Sequence, residues 1–155
     1  MKKIIYCLMF ILFGQYGHSQ VKDSVQIFDA ALAAKVGADQ YGMKKYVMAF
    51  LKSGKTKIED ETKRNELQKA HLKNIQRLAT EGKLVVAGPF LDKQPIRGIY
   101  IFNVATVEEA RQLTETDPSI QAGTLEMELH PWYGSAALME VVRIHNTLSK
   151  ADPAK

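Results

Sequence analysis

His71 stands where an apolar residue belongs. Between Asn65 and Leu78 the apolar residues Leu67, Ile75 and Leu78 recur at i, i+8 and i+11. At about 100° per residue these share one face of a helix, and His71 falls inside that stripe. An imidazole in an apolar stripe needs a partner or a pocket. Its ordinary pKa of about 6.5 suits it to moving protons near neutral pH. The carboxylate that could serve it is Asp117, just before Pro118. A carboxylate bonded to one imidazole nitrogen sets the tautomer and stabilises the protonated form. The other nitrogen then takes or gives a proton, help typically worth ~100- to 10,000-fold in rate. Asp-Pro also starts turns well, so a plain turn is the competing reading of Asp117.

Other side chains offer less. His130 shares a strand face with Glu126 and Glu128, which reads as a solvated edge or a pocket wall. His145 lies on the apolar side of the last expected helix and reads as a partly buried packing residue. The histidines are not spaced as His-x-x-x-His or His-x-His, so a metal site is not expected. The one cysteine, Cys7, lies in an N-terminal apolar run. Phe90, Trp132 and Tyr133 are candidates for the walls of an apolar pocket, with ordinary core or interface packing as the alternative.

The elements that must position these residues can be read in order. Residues 44–51 form a strand. A helix over residues 59–81 follows, with acid-before-base pairs Glu59–Lys63 and Asp60–Arg64 and a Gly82 cap. Residues 84–87 and 98–102 are strands, separated by Gly88-Pro89 and a polar loop. Thr106 and Glu109 make a capping box for a second helix that ends near Glu115. Residues 124–130 alternate as a fourth strand. Ser135 caps a C-terminal helix with Leu138, Val141, Val142 and Leu148 on one face. The order is strand-helix-strand-strand-helix-strand. It specifies an α+β, ferredoxin-like βαββαβ fold: a four-stranded antiparallel sheet with two helices on one face, plus an extra C-terminal helix. In that fold a residue within the first helix and one ending the second can approach each other.

The first three strands are nearly continuously apolar, so both sheet faces need cover. A second copy of the chain would supply it, and a homodimer is expected; the C-terminal helix is the competing cover.

The N-terminus bears on location. Met1-Lys2-Lys3 followed by an apolar run to Phe13 is laid out as a signal peptide over residues 1–19, too short for a membrane span. Losing Lys2 and Lys3 lowers the formal charge from +4 to +2, too weak to argue for nucleic acid. The expected product is exported, periplasmic or secreted, without cysteine and without a stable membrane anchor. A leader over 20–42, with helical turns ending at Gly37, precedes the domain at 43–133. Residues 134–155 form the C-terminal helix and tail.

Tyr46-Val-Met-Ala-Phe-Leu, Ala70-His71-Leu72, Glu81-Gly-Lys-Leu84, Ala87-Gly88-Pro89, Arg97-Gly98, Asp117-Pro118 and Ala122-Gly123 occur in order over residues 43–133. Together they resemble the YCII-related (YciI-like) family. The resemblance implies a ferredoxin-like domain pairing as a dimeric α/β barrel. It implies an active site at His71 and Asp117, with Gly88-Pro89 lining the same cleft. It also implies chemistry of the dehydrohalogenation kind, proton abstraction and elimination. The function expected is a cofactor-independent lyase or isomerase acting on a small organic substrate. His71 would be acid or base and Asp117 its orienter. Gly88, Pro89, Phe90, His130, Trp132 and Tyr133 would line the site, and amides near Gly88 would hold an oxyanion. A non-catalytic, exported dimer that binds a small ligand is the alternative. Haem ligation by His71, as in some dimeric α/β barrels, is a third reading.

Overall fold

The computed structural model describes residues 27–92, 94–151 and 154. The expected signal peptide lies outside these residues. Helix α1, Ala30–Val36, is capped by Asp29 and ends at Gly37, whose φ of 68° is the left-handed region. Strand β1 is Met43–Ser53, helix α2 Glu61–Thr80, strand β2 Leu84–Pro89 and strand β3 Ile96–Phe102. Helix α3, Val107–Thr114, carries the capping box read from Thr106 and Glu109. A single helical turn, α4, follows at Pro118–Gln121, then strand β4 at Leu125–Ser135. A 3₁₀ turn at Ala136–Glu140 leads into α5, Val141–Leu148.

The sheet is antiparallel in the order β2-β3-β1-β4. This is the expected α+β, βαββαβ arrangement. With β1 paired on both sides, the two strand-helix-strand halves interleave and α2 and α3 can lie on the same face. Along β1, Val47, Ala49 and Leu51 turn to that face. There they join Leu78, Leu84, Tyr100, Phe102, Val104 and Ala110 in the larger core. Burying a large apolar side chain such as Phe102 stabilises by roughly 1.5–3 kcal/mol. This packing holds α2 down and presents its buried stripe of His71, Asn74 and Leu78 to the sheet.

Local departures from the sequence reading have physical causes. Asp60 does not pair with Arg64. Its carboxylate accepts from the Lys63 amide as the α2 cap, and Arg64 donates instead to the carbonyls of Ile58 and Glu59. Strand β4 runs through Pro131 to Ser135, further than residue 130, because an edge strand tolerates a missing N–H. Ser135 caps the 3₁₀ turn and not an α-helix. A 3₁₀ turn advances 3.0 residues per turn, so the apolar phase slips before α5 begins. Leu138 and Met139 pack on the second sheet face against Tyr46, Val85 and Ile101. Val141, Ile144 and Leu148 face outward, and α5 has no buried residue. The chain's own 3₁₀ turn therefore covers part of the face for which a second copy was expected. His145 is exposed in the last turn of α5, which corrects its reading as a packing residue.

Strand β3 carries one irregularity. Leu51 faces Gly98, but Lys52 faces Ile96, leaving Arg97 as an extra residue in a bulge. Gly98 beside it lies tight against β2. A Cβ there would stand 2.6 Å from the Gly88 carbonyl oxygen and 3.1 Å from the Pro89 Cα, both backbone atoms. The Gly98→Ala variant is expected to lose about 1–3 kcal/mol. Urea unfolding should show a lower midpoint with an unchanged slope; an unchanged midpoint would show that the two strands can part freely.

Candidate active site

Helix α2 delivers His71 to the sheet side, and the turn after α3 delivers Asp117 beside it. Nδ1 of His71 lies 2.8 Å from Oδ2 of Asp117. The two expected partners do meet. Asp117 is also the N-cap of α4, its Oδ1 accepting from the Ser119 amide at 2.8 Å. Pro118 occupies the first helical position, where its missing N–H is no loss and its φ is already helical. Turn former and imidazole partner, alternatives in the sequence, are one arrangement. The capping bond pins one carboxylate oxygen and thereby aims the other. Asp117 has 0% of its surface exposed and His71 7%, so this charge-assisted bond is sheltered from water.

The second imidazole nitrogen is also engaged. The Tyr100 hydroxyl lies 3.3 Å from Nε2, and the two rings stack with centroids 6.3 Å apart. With a carboxylate at Nδ1 the consistent assignment is Nδ1–H donating to Asp117 and the Tyr100 hydroxyl donating to Nε2. Burial, and secondarily the charge of Asp117, push the Tyr100 phenol far above its ordinary range. Tyr100 is thus a neutral donor at any ordinary pH. Sequence reasoning missed Tyr100, although a signal was present. It lies two residues before Phe102, so a period of two puts both on the helix-covered face.

A polar chain braces the pair. Asn74, one turn beyond His71, accepts at Oδ1 from Arg77 at 2.8 Å and from Thr116 at 3.1 Å. Arg77 also donates to Thr116 and Glu81. The residue before Asp117 is thereby tied to α2. The Asn74 amide nitrogen is buried without a hydrogen-bond partner among the described residues.

A cleft of about 660 Å³ opens beside the pair. Its lining includes Gln68, one turn before His71, and Ser119, the residue that caps onto Asp117; it also includes Thr56, Lys57, Arg97 and Thr124. His71 and Asp117 are not themselves among the lining residues. A second cavity of about 500 Å³ is bounded by Lys52, Phe90 and Ile96.

The other expected site residues do not gather at His71. His130 and Trp132 lie opposite Met48 and Tyr46, on the sheet face away from α2. His130 bonds Glu128 at 2.8 Å and meets Phe50 edge-on; Trp132 packs against Tyr46. Hydrogen bonds from Lys52, and secondarily from His130, hold the Glu128 carboxyl below its usual range. Phe90 belongs to the second cavity. Tyr133 sits opposite Lys45 and donates its hydroxyl to Asp39. Gly88 pairs with Ile99 and Pro89 with Gly98, so of these two Pro89 shares the helix-side face. Strand alternation causes the separation: even-numbered β4 residues follow Met48 and Phe50, whereas Tyr100 follows Ala49. Among the described residues no group of three His, Cys, Asp or Glu side chains is placed to hold a metal ion.

Residues 46–133 match the sequence profile of the YCII-related domain. The chain is similar to the uncharacterized protein YjpA of Bacillus subtilis (strain 168), 31% identical over 62 residues, which span 40% of this chain and 71% of that protein. A solved structure of 5-chloro-2-hydroxyhydroquinone dehydrochlorinase (TftG) from Burkholderia phenoliruptrix AC1100, in complex with 2,5-dihydroxybenzoquinone, superimposes with a TM-score of 0.42. Its identity to this chain is 20%, and the match covers 56% of this chain and 92% of that one.

The geometry gives a direct prediction. Long-range ¹H–¹⁵N spectra should show His71 as the Nδ1–H tautomer, and Asp117→Asn should abolish that preference. Asp117→Ala should lower stability by about 3 kcal/mol, since it leaves a buried imidazole and a helix N-terminus unpaired. An unaltered His71 tautomer in Asp117→Asn would remove the carboxylate from the account.

Proposed function

This chain belongs to the YCII-related domain family, and within it we propose a cofactor-independent lyase or isomerase that moves a proton on a small organic substrate. The observation that carries this reading is the buried row Asp117–His71–Tyr100, joined through Ser119 to the wall of a cleft large enough for such a molecule. His71 acts as the base. Once the Tyr100 hydroxyl turns aside, Nε2 accepts a proton from a substrate C–H bond, and the electron pair of that bond stays on the substrate. The Asp117 carboxylate stabilises the imidazolium that forms. Return of the proton to another atom completes an isomerisation. Departure of an anion from the neighbouring carbon completes an elimination.

One observation favours a second reading, a non-catalytic protein that binds a small ligand. Both His71 nitrogens already have partners, as they would in a satisfied polar core. The two readings diverge in deuterium oxide. With enolisable carboxylic acids and ketones, the wild type should wash protons out of a recognised substrate. His71→Gln should slow the exchange at least ~100-fold. Equal rates in the two proteins would leave the binding reading standing.

The reading includes a two-fold homodimer. Its support is the outward apolar stripe of α5, Val141, Ile144 and Leu148, together with the fully presented Leu91. Light scattering should give twice the chain mass for the wild type and the chain mass for Ile144→Asp. A monomeric wild type at micromolar concentration overturns it.

A further inference from the structure

We infer that the cleft beside Asp117 binds a small organic anion, a carboxylate above all, with Arg97 as its counter-charge. This deepens the proton-transfer reading by naming its substrate class. It rests on that reading only for the statement that the bound molecule reacts.

The bulge in β3 is the first support. Regular pairing would continue the alternation through Arg97, but the register slip leaves it without a partner on β1, although its carbonyl still accepts from the Phe90 amide, and the residue lines the helix-side cleft. Bulges re-aim side chains in this way, and they are over-represented beside active sites. The second support is the state of the guanidinium. Arg64, Arg77 and Arg143 each have hydrogen-bonding partners within the chain. The guanidiniums of Arg97 and Arg111 have none among the described residues, and of these two only Arg97 lines the cleft. The lining holds three cations, Lys57, Arg64 and Arg97, against one carboxylate, Glu59. Arg64 is already committed to two backbone carbonyls.

The third support is independent of charge. Ser119 lines the cleft with only 4% of its surface exposed, and its hydroxyl has no hydrogen-bond partner among the described residues. Its backbone is fully used: the amide caps Asp117 and the carbonyl accepts from Thr124. The hydroxyl is not among the polar atoms sealed from solvent, so it opens to the cleft and can donate to what enters it. The chemistry converges on a carboxylate. A guanidinium fork matches its two oxygens, and a serine hydroxyl adds a third donor. The volume suits a ring-sized acid. The cation would also stabilise negative charge that builds on the substrate when an adjacent C–H bond loses its proton.

Benzoate, benzamide and benzylammonium test this as anionic, neutral and cationic probes of one shape. In ¹H–¹⁵N spectra of the full chain at low salt, benzoate should saturably shift the amides of residues 56–59, 97–98 and 119–124. Benzamide and benzylammonium should leave them in place. Arg97→Gln should weaken benzoate at least tenfold, Arg97→Lys should weaken it less, and added salt should weaken it in the wild type. Equal binding of benzamide, or unchanged benzoate affinity in Arg97→Gln, overturns the anion site. His71→Gln separates this inference from the proposed function. Benzoate binding that persists in a variant whose exchange rate equals the wild type's would retain the site and discard proton transfer. Lost anion selectivity with intact His71-dependent exchange would do the reverse.

Discussion

A carboxylate with no exposed surface must be met by donors, and Asp117 is met by two that come from different parts of the chain. The Ser119 amide belongs to the turn it caps; the imidazole belongs to a helix 46 residues earlier in the sequence. The bond between them therefore does more than orient a ring. It ties α2 to α4 directly above the sheet, and the chain Arg77–Asn74–Thr116 repeats the tie one turn along. Tyr100 completes the arrangement from below by filling the second imidazole nitrogen. Asp117, His71 and Tyr100 are each buried, so the loss of any one strands a polar group away from water.

The sheet divides the protein into two chemical faces. The helix-covered face carries His71, Asp117 and Tyr100, sheltered and specific in geometry. The other face carries an exposed triplet, Lys52, Glu128 and His130, beside apolar contacts made by the 3₁₀ turn. Exposed ion pairs of that kind contribute little to stability. The same residue type thus has different standing on the two faces. His130 pairs with a carboxylate in open solvent, where water competes for both, while His71 pairs with one where water is excluded.

The position of the cleft gives the buried row its meaning. A histidine held between a carboxylate and a phenol is stable as it stands, and by itself it is only a well-satisfied core. Beside it, Ser119 belongs to both the row and the cleft wall, one group on the backbone and the other on the side chain. A ligand in the cleft would touch the residue that positions Asp117.

Element order and the α+β class were legible in the sequence, as were His71 and Asp117 as candidate partners; that the two meet was not. The legible part rests on local facts: an apolar stripe of helical period interrupted by one imidazole, an Asp-Pro that can stop or start a helical turn, and strands of continuous apolar character. Tyr100 was half legible, because alternation assigns its face but not its reach. Which side chains share a space was settled by the packing of distant segments. The phase of β4 sends His130 and Trp132 away from His71, and the 3₁₀ turn breaks the apolar phase that Leu138 begins. The bulge that frees Arg97 arises from a register slip between strands distant in the chain. Register and phase depend on how two elements pair, and no single segment encodes that pairing.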